Sequence, residues 1–114
     1  MIEATFYPDD VRLTVKGHAG LASKGTDIVC AAASILVHTA AENARILEAQ
    51  GALLEMSVRL DEGDVEILCV PCKQTEAVVE LVFLAVCVGF QLLGQSYPEA
   101  VLFSQVVKKL PDRV

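Results

Sequence analysis

The sequence predicts an α+β domain spanning 1–114, two layers built as ββαββα around an antiparallel sheet, with a short tail. Three observations carry that prediction. Two pairs of short runs alternate apolar and polar residues on either side of turn-forming residues. Each pair is followed by a segment long enough for a helix. A glycine, Gly51 or Gly94, stands where each of those segments should stop.

In the first run Ile2, Ala4 and Phe6 alternate with Glu3 and Thr5, the period of a half-buried strand. Tyr7-Pro8-Asp9-Asp10 supplies the turn, and Val11, Leu13 and Val15 alternate with Arg12, Thr14 and Lys16. From Gly17 to Thr26 the periodicity vanishes, and Gly17, Gly20 and Gly25 make this stretch a mobile loop. So long a connection in a small domain points to a working part. Asp27 is suited to cap a helix that runs to about Gln50. Its apolar stripe reads Ile28, Ala32, Ile35, Leu36, Thr39, Asn43, Ile46 and Leu47.

A second hairpin follows. Leu54, Met56, Val58 and Leu60 alternate, Asp61-Glu62-Gly63-Asp64 turns, and Val65, Ile67 and Cys69 alternate again before Pro71. Gln74 to Leu93 is rich in β-branched residues, but its length and the polar Glu76, Glu80 and Gln91 favour a helix. Being apolar nearly all round, it should be buried on more than one side. Tyr97-Pro98 restarts the chain, and Ala100 to Val107 forms a last strand.

Composition narrows the function classes. Hydrophobic residues make up 54% and charged residues 21% of 114, enough apolar surface to exclude disorder. Mean hydropathy of +0.49 is high for so small a domain, and a homodimer interface is the expected cover. Net charge is −6 with the nine basic residues scattered, which argues against direct nucleic-acid binding and favours a basic polypeptide partner. The longest apolar run, Leu81 to Phe90, is too short to span a bilayer, so no membrane association is expected. Met1-Ile2-Glu3 lacks the basic start of an export signal. These readings point to the cytoplasm, where the four cysteines should stay reduced.

Chemistry concentrates around Cys30. Behind an Asp27 cap it would occupy the first turn, where unpaired N–H groups and the helix dipole favour a thiolate. A base must come from one of two histidines. His38 lies eight residues along the same helix, roughly 12 Å away at 1.5 Å per residue. His18 sits on the loop and can fold back, so Cys30 with His18 is the dyad the chain can assemble. Ser34, one turn after Cys30, shares its face. The plain alternative is a small packing cysteine, with Ala31, Ala32 and Ala33 admitting a close helix–sheet approach.

Cys69-Val70-Pro71-Cys72 offers a second chemistry, a dithiol or, with His18 and Cys30, a zinc site. Its strand belongs to an antiparallel hairpin rather than a βαβ unit, and a second C-x-x-C is absent, so neither metal nor cofactor is expected. Cys69 otherwise reads as an inward strand residue, Cys72 as part of a connection and Cys87 as core.

Gly17-His18-Ala19-Gly20 followed by Gly25-Thr26-Asp27-Ile28-Val29-Cys30-Ala31-Ala32-Ala33-Ser34 resembles the signature of the ribosomal-processing cysteine protease family Prp. The resemblance implies a homodimeric α+β endopeptidase. It implies that the enzyme removes a short N-terminal extension from a large-subunit ribosomal protein. Cys30 then matches the nucleophile and His18 the base, with Asp27 and Ser34 binding or orienting substrate. Gly17, Gly20 and Gly25 lie in the loop that closes over it. First-turn N–H groups, Cys30's own among them, are candidate oxyanion donors. A non-catalytic ribosome-assembly binding module with the same fold is the alternative, and Cys69-Val70-Pro71-Cys72 is foreign to the family pattern.

Overall fold

A computed structural model describes residues 1–18 and 24–108 of the chain. The elements are β1 (Ile2–Tyr7), β2 (Arg12–Gly17), α1 (Lys24–Ala49), β3 (Leu53–Asp61), β4 (Asp64–Pro71), α2 (Glu76–Ser96, entered through a 3-10 turn at Lys73–Thr75) and β5 (Val101–Gln105). Both predicted hairpins form: β1 pairs with β2 and β3 with β4, each antiparallel. The sheet runs β3-β4-β2-β1-β5.

The sheet is mixed, not antiparallel as the sequence suggests. β5 lies parallel to β1, with Ile2 opposite Val101 and Phe6 opposite Gln105. Chain direction explains this. β4 is antiparallel to β2, and β2 to β1, so β4 points the same way as β1. α2 carries the chain back along its length, and β5 sets out again in the direction of β4. A run of alternating residues gives no information about which way its neighbour points.

Alternation assigns the two faces of the sheet. Ile2, Ala4, Phe6, Leu13, Val15, Ile67 and Cys69 are buried on one face, in a cluster with Phe83, Phe90 and Val79 of α2 and Val29, Ala33, Val37 and Ala41 of α1. Truncating a phenylalanine so enclosed to alanine costs about 3–5 kcal/mol in protein cores, which makes α2 the main anchor of the sheet. The opposite face carries Glu3, Thr5, Tyr7, Arg12, Thr14, Lys16 and Glu66. There Arg12 stacks over the Tyr7 ring at 4.2 Å and approaches Asp10 and Glu66.

Two expectations about the helices are corrected. The stripe predicted for α1 is largely its outward face: Ile28, Ile35 and Ile46 are exposed, while Val29, Ala33, Val37, Ala40, Ala41 and Ala44 are buried. Small side chains let the helix axis come close to the sheet, so the inward face is the less hydrophobic one by bulk. In α2, the apolar character extends well beyond the ten residues of Leu81–Phe90. Lys73–Ser96 is long and apolar enough to cross a membrane. Here that helix buries Val79, Phe83, Val86, Cys87 and Phe90 in the domain core and leaves Val78, Leu81, Val88 and Leu92 exposed. Gly89 lies beneath Leu36, so close that an added Cβ would sit 2.5 Å from Leu36 Cδ2, and this sets the helix–helix approach.

Candidate active site

The end of the sheet where β1 starts and β2 finishes is built around a crowded backbone crossing. Gly17 closes β2 with φ +90°, and a Cβ there would collide with the carbonyl oxygen of Met1. Its N–H donates to the carbonyl of Gly63 at 2.9 Å, which ties the β3–β4 turn to the end of β2. Gly63 itself has φ +70°, the left-handed conformation that the Glu62-Gly63 turn requires. The next residue after Gly17 is His18. Its imidazole rests over Gly63, with Nε2 2.6 Å from where a Cβ on that glycine would be.

Above this crossing passes the first half of α1. Between them lies an open cavity of about 540 Å³. His18 and Cys30 both line it and both are exposed; Ser34 and His38 line it further along the helix. Ile2, Val15, Ala33, Val37, Leu60 and Val65 make the lining mostly apolar, and Asp61 and Glu62 add carboxylates from the turn. Among the described residues, no hydrogen bond joins His18 to Cys30. The free thiol and the imidazole face a common space, the looser arrangement usual before substrate binds.

The placement of α1 revises the local argument for Cys30. The helix begins at Lys24, three residues before Asp27, so Cys30 lies in its second turn. Asp27 is inside the helix and not its cap. The dipole and the unpaired N–H groups act within the first turn, and the Cys30 N–H is committed to the i−4 ladder. Activation of the thiol thus falls to a side chain, and Cys30's own N–H drops out as an oxyanion donor. The early start escaped the sequence reading because Lys24-Gly25-Thr26 shows no apolar period.

Two of the three loop glycines also move to regular structure. Gly17 belongs to β2 and Gly25 to α1, while Gly20 lies outside the described residues. At Asp27 the backbone alone is described. His38 was set aside because it is too far along the helix from Cys30, yet it shares the cavity. The signal was available in the i, i+4, i+8 spacing of Cys30, Ser34 and His38, which stacks them on one face. Asp61, Glu62 and Gly63 were read only as a turn. No sequence pattern says that this turn abuts the start of the loop after β2.

Burial and position separate Cys69 and Cys72 from the cavity. Cys69 is fully buried on β4, where desolvation pushes its thiol up to about 12. Cys72 sits on the connection to α2, its N–H bonded to the Ala52 carbonyl. Neither lines the cavity that holds His18 and Cys30. Among the described residues no group of three His, Cys, Asp or Glu side chains could hold a metal. Cys87 is buried in the core, its thiol likewise raised to about 12 by desolvation. Iodoacetamide at mildly alkaline pH is therefore expected to label Cys30 first, with Cys69 and Cys87 unmodified until the protein is unfolded. Peptide mapping of the alkylated cysteines checks this, and early labelling of Cys69 would contradict the buried placement.

Residues 1–102 match the cysteine protease Prp family. The chain belongs to that family. Its fold is similar to those of solved structures. One is SMU.848 from Streptococcus mutans, at a TM-score of 0.69 and 28% identity over 95% of this chain and 96% of that one. The essential ribosomal processing protease Prp from S. aureus, in complex with a covalently linked product peptide, gives a TM-score of 0.69 and 23% identity, covering 93% of this chain and 100% of that one. Its complex with a substrate peptide gives a TM-score of 0.69 at 20% identity, with the same coverage. No curated protein matches this sequence. Of the residues that carry the resemblance in the sequence, Gly17, His18, Cys30, Ala33 and Ser34 line the cavity.

Proposed function

We propose that the protein is a cytoplasmic cysteine endopeptidase that removes a short N-terminal extension from a large-subunit ribosomal protein, with Cys30 as nucleophile and His18 as general base. The observation that carries this reading is that the two side chains, delivered by different elements, are both exposed in one cavity of peptide-binding size. The precursor's tail enters this cavity and draws His18 and Cys30 together. His18 takes the thiol proton as the sulfur attacks the scissile carbonyl. The tetrahedral intermediate collapses, the C–N bond breaks, and the imidazolium gives its proton to the departing amine. Water, deprotonated by His18, then hydrolyses the thioester and frees the thiol. Ser34, on the nucleophile's face one turn on, binds or orients substrate in this reading, and Asp27 shares that role. A chain of net charge −6 with carboxylates at the cavity mouth suits a basic ribosomal protein.

The working unit in this reading is a homodimer. Ile35 is 64% and Leu81 67% exposed, and Ile35 and Leu92 line an apolar groove between α1 and α2. So much exposed aliphatic surface on adjacent helices is unusual for a monomer. Sedimentation should give twice the chain mass, and Ile35→Glu with Leu92→Glu should halve it. A wild-type monomer would overturn the dimer.

Mass spectrometry of the host's precursor ribosomal protein, incubated with wild type or Cys30→Ala, tests the activity. One N-terminal cut by the wild type alone is the expected result. Precursor that binds yet stays whole with both proteins would instead establish the binding-module reading.

A further inference from the structure

Among the described residues β3 is an edge strand, and its outer side runs into the cavity. It ends the sheet next to β4, and its last residues, Leu60 and Asp61, line the space that holds Cys30. The other edge, β5, contributes no residue to that cavity. Lengths bring strand and helix into step. From Cys30 to Ala49 α1 rises roughly 28 Å at 1.5 Å per residue. After the turn at Gly51, β3 returns about 26 Å from Leu53 to Asp61 at about 3.3 Å per residue. The cleft end of β3 is thus level with the nucleophile.

Register shows which backbone groups are free. Gly63 bonds to Gly17 and Cys69 to Val11, so the odd-numbered residues of β4 bond towards β2 and the even-numbered ones towards β3. Asp64, Glu66 and Leu68 face Asp61, Arg59 and Ser57. The intervening Leu60, Val58 and Met56 therefore direct their N–H and C=O groups away from the sheet. Two of the usual defences of an edge, a bulge and a proline, are missing from this stretch. The single irregularity in pairing lies at the far end, between Leu53 and Glu55, and no proline interrupts Glu55–Asp61. Arg59, the one basic residue there, is turned to the turn carboxylates, 2.7 Å from Asp64 and 3.4 Å from Asp61.

We infer that the substrate's extended segment adds to β3 as a sixth strand, bonding to Leu60, Val58 and Met56 so that its scissile end enters the cavity at Cys30. This rests on the peptidase reading and deepens it. The scissile amide must be held extended to be attacked, and a free edge continuous with the cavity supplies that at no cost in new structure. Substrate residues opposite Leu60 would project to the helix side of the sheet, over the apolar lining of Val37 and Val65. Those beside them would point to the far face, so side-chain selectivity should recur at every second position.

A synthetic peptide spanning the N-terminal residues of the host's large-subunit precursor, N-methylated at one position at a time, tests this. Methylation should lower kcat/KM about 5- to 10-fold at alternate positions, the loss expected of one hydrogen bond. With Cys30→Ala and the unmodified peptide, amide exchange at Met56, Val58 and Leu60 should slow, while Ser57 and Arg59, already paired to β4, should not change. Cys30-dependent cleavage that tolerates methylation everywhere, with no slowing at those amides, overturns strand addition and leaves the peptidase reading intact. Slowed amides without any cleavage support strand addition and overturn the peptidase reading. Amides already protected in the peptide-free protein mean that a second copy holds β3, which overturns the inference.

Discussion

Cys30→Ala is expected to reduce precursor cleavage to the uncatalysed background, and His18→Ala to lower kcat/KM by about 10²–10⁴-fold, the range for a lost general base. The first removes the cavity's thiol, the atom that would form the thioester; the second leaves the thiol without the imidazole proposed to take its proton. Because Cys30 lies in the second turn of α1, the helix end does little for the thiol, and the dependence on His18 should be correspondingly steep. His38 provides an internal control, since it lines the same cavity two turns further along the helix. His38→Ala should keep most of the activity and affect KM more than kcat. Equal losses on replacing either histidine would sink the assignment of His18 as base. Cys69→Ala, at a buried position outside the cavity, should be measured with them. Activity lost equally in Cys30→Ala and Cys69→Ala would favour dithiol chemistry over the dyad.

How much of this was legible in the sequence depends on the range of the interaction. Period-2 alternation and turn residues located β1 to β4 within a residue or two, because they report local backbone geometry and burial of a face. The parallel pairing of β5 depends on the path of α2 through space, and local pattern does not encode it. In α1 the sequence reading followed bulk and chose Ile28, Ile35 and Ile46. The fold instead turns Ala40, Ala41 and Ala44 inward, since close approach to the sheet rewards small residues, and leaves the isoleucines outside. Residue type and spacing singled out Cys30, His18 and Ser34 as candidates, and all three line one cavity. What was missed, the Asp61-Glu62-Gly63 wall, lies over forty residues from His18 and is brought there by the pairing of β2 with β4, which the hydrogen bond from Gly17 to Gly63 extends.

That wall leads to a sharper test of His18. Gly63→Ala should lower cleavage about 100-fold, the scale of loss when a reacting group is displaced by roughly 1 Å. Two effects act at once. The backbone at φ +70° disfavours any Cβ, costing about 1–2 kcal/mol of stability. The new Cβ would also stand 3.0 Å from Cε1 of His18 and 2.6 Å from Nε2, the latter a separation no real contact sustains. The imidazole is the end of a flexible side chain, so it swings aside cheaply in stability, but it leaves the position from which the proposed dyad has it serve Cys30. Gly51 separates the two effects. Its φ of +72° is nearly the same, and nothing lies within 4 Å of where its Cβ would be. Gly51→Ala should therefore match Gly63→Ala in lost stability, read as a shift in urea midpoint, while cleaving precursor at close to the wild-type rate. The pair converts one geometric contact into a difference in rate at constant backbone strain. If both variants cleave equally well, His18 does not work from its place over Gly63, and the base must be sought elsewhere in the cavity.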